Sequence, residues 1–155
     1  MPSRERLVFN LKRLSQFGDT DNTSPEITAS LEGKSFTSVS DSLRGHVQTG
    51  SVPDMAQLHE GLKISQTLLD RGRPGVAAYY LASLLPLAVL KGDSTFTDQV
   101  NGAVRVLLMH PSLTERQQKG FSWAVYHLLD GGAFPNKEEA ERLLLSLDIR
   151  RPHGM

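Results

Sequence analysis

At 155 residues the chain has the length of a single domain, and an apolar content of 39% is ordinary for a globular protein. Seventeen basic and seventeen acidic residues cancel, and residues 1–50, 51–112 and 113–155 each carry both signs in equal number, which excludes nucleic-acid binding driven by net charge. There is no cysteine, so disulfides, thiolate catalysis and cysteine-ligated zinc or iron–sulfur centres are excluded too.

Residues 4–17 read as an amphipathic helix, within an N-terminal unit of residues 1–18. Leu7, Leu11 and Leu14 follow the i, i+4, i+7 spacing, with Val8 beside them, and Arg6, Lys12, Arg13 and Gln16 fall on other faces. Asn10, Lys12 and Arg13 interrupt the first apolar residues, so no secretory signal is expected and synthesis is expected in the cytoplasm. Residues 19–50 are rich in Ser, Thr, Gly and Asp, and are expected to be a partly flexible segment. Within it Phe36, Val39, Leu43 and Val47 have helical spacing, which suggests a short helix near 38–48, weakened by Gly45.

From residue 51 the helix signals sharpen. Ser51, Pro53 and Asp54 have the pattern of a helix start, with Ser51 as the cap. Met55, Leu58, Leu62 and Leu69 form the apolar stripe that follows, and Gly72-Arg-Pro-Gly75 ends it in a turn. Residues 76–90, VAAYYLASLLPLAVL, carry no charge. The run is shorter than the ~20 residues of a membrane span and far longer than a strand of about 5–6 residues. Its Ala and Leu content favours a helix. A helix apolar all round must be buried all round, so it is expected at the centre of the fold, kinked at Pro86.

Asp93 or Ser94 caps the next helix, which carries Phe96, Val100, Val104 and Leu107 and ends before Pro111. Ser112-Leu-Thr-Glu115 has the form of a capping box. The helix it opens carries Phe121, Ala124, Val125, Leu128 and Leu129, and stops at Gly131-Gly132. Asn136 caps a last helix with Ala140, Leu143, Leu144 and Leu147 as its stripe, and residues 150–155 form a tail. The expectation is an all-α fold: a compact antiparallel domain of about five main helices over residues 51–149, preceded by the amphipathic helix and the flexible segment.

Chemical motifs do not survive this reading. Gly33-Lys34-Ser35 ends like a phosphate-binding loop, but position 28 is Thr where that loop needs Gly. Arg71-Gly72-Arg73-Pro74 resembles the core of the AT-hook, a resemblance of four residues that would imply arginines entering the minor groove. The flanking Leu68, Leu69 and Asp70 lack the basic surroundings of that family, and a turn between helices accounts for the same Gly and Pro. Histidines 46, 59, 110, 127 and 153 show no metal-ligand spacing. Ser122 lies within a predicted helix, not on a nucleophile elbow. No catalytic, cofactor-binding or metal-ligating residue is therefore assigned.

The functional expectation is a non-enzymatic protein–protein interaction module, an adaptor, regulator, chaperone-like or effector domain. Its candidate contact residues are Leu7, Leu11 and Leu14 on the first helix, and Trp123 and Tyr126, three apart on the fourth helix of the domain. Another protein is the expected partner; a second copy of the chain is a further one, and nucleic acid is not expected. The alternatives are an enzyme or small-ligand binder with a site assembled between helices, and association of residues 4–17 with a membrane surface.

Overall fold

The computed structural model describes residues 36–152. The helix expected over 4–17, with Leu7, Leu11 and Leu14, lies outside the described residues, as does Gly33-Lys34-Ser35. The described chain is all-α: α1 (Phe36–Thr49), α2 (Met55–Asp70), α3 (Pro74–Lys91), α4 (Ser94–Leu108), α5 (Glu115–Asp130) and α6 (Lys137–Ser146).

The long apolar run is the hub. α3 begins with Pro74 at its first turn, where the missing N–H costs nothing. It ends at Gly92 (φ 74°), whose N–H returns to the Ala88 carbonyl at 3.2 Å. Fourteen of its eighteen residues are buried, from Pro74 to Ala88 with Val76 the one break. It packs against α1, α2, α4 and α5, which is how a helix apolar on every face is accommodated. Pro86 lies buried within it, and α3 continues past it to Lys91. By length and a mean hydropathy of 1.3, α3 alone among the described helices could cross a membrane; here its apolar surface is enclosed by protein.

Among the described residues the packed helices begin at Phe36. Residues 36–49, which fall in the segment expected to be partly flexible with a short helix near 38–48, form the fourteen-residue α1, and Leu43 and Val47 are buried in the common core. Burying two such side chains stabilises by about 1.5–3 kcal/mol each, enough to hold a segment of low helix propensity. Gly45 faces open space and so does not disturb that contact. Gly61 of α2 lets α1 approach: a Cβ there would stand 2.9 Å from Leu43 Cδ1. Arg44 adds a hydrogen bond from Nη1 to the Tyr79 hydroxyl at 2.6 Å.

The start of α2 differs from the expected one, while those of α4 and α6 agree. α2 is capped by Asp54, whose Oδ1 accepts the Gln57 N–H at 2.9 Å. Ser51 instead bonds His46 Nδ1 and Thr49, because the carboxylate three residues on is closer to the free amides. Asp93 caps α4 through the Phe96 N–H, and Asn136 caps α6 through the Glu139 N–H. The order of packing also departs from simple antiparallel neighbours. α4 and α5 are joined by six residues yet hardly touch; α5 lies on α3, and α6 lies on α5.

Candidate functional site

α5, α6 and the chain after α6 enclose a cleft, and local sequence sets each wall. α5 is positioned by a reciprocal cap. Thr114 Oγ1 accepts the Gln117 N–H at 3.1 Å, and Gln117 Oε1 accepts the Thr114 N–H at 2.9 Å. The box therefore sits two residues beyond the Ser112–Glu115 pair expected from sequence. Ser112 is held elsewhere: its N–H donates to His110 Nδ1 at 3.1 Å. From this fixed start Glu115, Gln118, Lys119 and Ser122 fall at helical spacing along one wall.

The facing wall is Leu145 of α6 with Asp148, Arg150, Arg151 and Pro152. Between the walls is an open cleft of about 730 Å³. Leu145 is 57% exposed, one of three large apolar side chains exposed among the described residues. Charges of both signs rim it in pairs: Lys119 Nζ stands 3.6 Å from Glu115, and Arg150 Nε 3.1 Å from Asp148. All four side chains are well exposed, so each pair contributes about 0–1 kcal/mol and is easily exchanged for a charge on a ligand.

The far wall depends on how the chain leaves α6. Asp148 adopts a left-handed conformation (φ 61°), and the Ile149 N–H returns to the Leu144 carbonyl at 2.8 Å. This turn sends Ile149 into the core, where its carbonyl accepts the Tyr126 O–H at 2.7 Å. Arg151 then closes on α5. Its Nη1 and Nη2 donate to Asp130 at 2.8 and 3.1 Å, a paired geometry stronger than a single bond. Its guanidinium also lies 4.6 Å from the Tyr126 ring centroid and 3.7 Å from Glu141. Lys137 approaches Asp130 at 3.4 Å.

The electrostatics follow from this strap. Burial pushes the Tyr126 hydroxyl above its ordinary value of 10.0, opposed by the Arg151 charge. The Arg151 hydrogen bond holds Asp130 below its ordinary 3.8, against a smaller opposing effect of burial. The same bond raises Arg151. Tyr126 and Asp130 are thus structural clamps that hold the strap, through Ile149 and Arg151, from behind the cleft wall.

Of the contact residues read from sequence, Tyr126 does not form an exposed surface with Trp123. It is 3% exposed, because the strap covers the stripe of α5 on which it lies. Trp123 is half-buried against the core, its ring 4.0 Å from that of His127. The histidines are dispersed. His110 Nε2 donates to the Leu69 carbonyl at 2.9 Å while Nδ1 accepts from Ser112, which fixes its tautomer. His59 lies edge-on to Phe96. Among the described residues no three metal-ligating side chains gather. Arg71-Gly72-Arg73-Pro74 forms the α2–α3 turn: Gly72 (φ 72°) and Arg73 return N–H bonds to Leu69 and Leu68 at 3.1 and 2.8 Å. That closed turn replaces the extended strand a minor-groove arm would need.

Sequence reasoning missed Leu145, Arg150 and Arg151. A signal existed for Leu145: of Leu143, Leu144 and Leu145 in succession, a helix cannot turn all three to one core. Nothing in periodicity marks the Asp130–Arg151 pair, which joins residues 21 apart. Comparison with protein families, curated proteins and solved structures finds no match to this chain.

Proposed function

We propose that the chain is a non-enzymatic protein-interaction module that receives a segment of another protein in the cleft between α5, α6 and the Ile149–Pro152 strap. The observation that carries the reading is Leu145, an exposed apolar side chain in a cleft rimmed by exchangeable charges of both signs. Supporting features are the rigid walls. Capped helices hold both sides, so little ordering entropy is lost when a ligand enters. An apolar contact supplies affinity in such a groove, and the rim charges fix direction and register.

The test is capture from the source lysate with full-length variants in parallel. Leu145→Asp, and separately Lys119→Glu with Arg150→Glu, should lose the partner that the wild-type chain retains. Both changes lie at exposed positions and should leave the melting curve within about 0.5 kcal/mol. A partner retained by both, but lost when Leu7, Leu11 and Leu14 are replaced by Asp, refutes the cleft and assigns the contact to the N-terminal segment. If the partner fraction is lipid vesicles, the membrane-surface reading replaces this one.

A further inference from the structure

The face of α4 turned away from the core carries features that packing among the described residues does not explain. Gly102 lies in the middle of this fifteen-residue helix, among the poorest positions for glycine. Its φ is not in the left-handed region, and a Cβ built there would meet nothing within 4 Å. Four and seven residues on, Val106 and Met109 are 54% and 85% exposed. Asp98 and Arg105 stand seven apart on the same outer line, both exposed and neither ion-paired among the described residues. Gly45 of α1 also faces open space, but none of the large apolar side chains found exposed among the described residues lies on that helix.

We propose that a second copy of the chain packs antiparallel on this face of α4, with the two-fold axis passing beside Gly102. Antiparallel pairing about a point between 101 and 102 places Asp98 of one copy opposite Arg105 of the other, twice over. The face is therefore complementary in charge to itself, as an isologous contact requires. The missing side chain at Gly102 lets the two backbones approach at the axis. Met109 then covers the N-terminal turn of the opposite α4, near Thr95. A contact of one helix on one helix is smaller than the ~1,200 Å² of a standard interface, so the dimer is a weak one that assembles at high concentration. No residue of this face lines the α5–α6 cleft, and the proposal does not depend on what enters it.

The test is sedimentation velocity on the full-length chain from about 5 to about 500 μM, a range suited to weak interfaces. The mass should move from 17.1 kDa toward twice that value. Asp98→Arg and Arg105→Asp should each weaken association at least tenfold, and the double exchange should restore it to within about threefold of wild type. Gly102→Gln should weaken association while its melting temperature rises, an opposition that damage to the fold would not produce. A single 17.1 kDa species throughout overturns the proposal. So does a dimer indifferent to both single reversals, or a double variant weaker than either single.

Discussion

Replacing Tyr126 by Phe removes one oxygen atom and tests the strap directly. The ring stays, so core packing and the Arg151 contact at 4.6 Å are retained. What is lost is a buried 2.7 Å bond to the Ile149 carbonyl, which is left without that donor. Removing one partner of a buried hydrogen bond costs about 1–3 kcal/mol. With a urea slope of about 1–3 kcal/mol per molar, the unfolding midpoint should fall by roughly 1 M at unchanged slope. The pH dependence gives a second check. The folded-state pKa of Tyr126 lies above its unfolded value of 10.0, so the stabilisation it brings is complete below that value. It is lost as pH rises through the folded value, and the gap between wild type and Tyr126→Phe should narrow in that window. An unchanged midpoint at neutral pH, or a gap that stays constant through the alkaline range, would refute the assignment of Tyr126 as the clamp.

Three further outcomes are expected. Leu84→Asp places an unpaired charge at a fully buried position of α3 and should abolish the cooperative thermal transition seen by circular dichroism; an unaltered melt would show that α3 is not the hub. Gly102→Ala should stabilise the single chain by about 0.5–1 kcal/mol through helix propensity. Gly61→Ala, where the new Cβ would stand 2.9 Å from Leu43 Cδ1, should gain less or lose up to about 2 kcal/mol, and calorimetry that ranked the two alike would contradict the α1–α2 contact. Asp130 is held below its ordinary 3.8, so its contribution is present above that pH and lost as pH falls through the lower folded value. Asp130→Asn should therefore flatten the acid limb of the stability curve below about pH 4, and a limb of unchanged steepness would show that Arg151 does not hold the strap through this carboxylate.

The helices were legible wherever one physical signal was strong. An uncharged run of fifteen residues left α3 no environment but the centre, and the stripes of α2, α4, α5 and α6 are found buried except for Met55 and Leu143, which are half-buried against the core. α1 was only half legible, because Leu43 and Val47 are sparse anchors in a Ser- and Thr-rich stretch and their hold depends on Gly61 in another helix. Caps misplaced by two or three residues reflect rival oxygens: Ser51 against Asp54, Ser112 against Thr114. Local sequence offers both, and the turn geometry decides. The cleft was the least legible part. Its far wall is made by Arg151 reaching Asp130, a contact between residues 21 apart that depends on a left-handed Asp148. The turn after α6 set that reach, and neither composition nor spacing announces it.

The position of α3 along the chain carries a consequence for synthesis. Its last residue, Lys91, precedes by 39 residues the end of α5, which supplies one of its four covering surfaces. At about 5–20 residues per second, that cover is complete only some 2–8 s after α3 has been made. During that interval the growing chain carries a helix long and apolar enough, by composition, to cross a membrane, sheltered among the described helices by α1, α2 and the emerging α4. The early helices act as the first shelter for the segment that later organises the fold, and any change that loosens α1 or α2 would be felt first on the ribosome, as capture of α3 by a chaperone or a membrane, before it was felt in the finished protein.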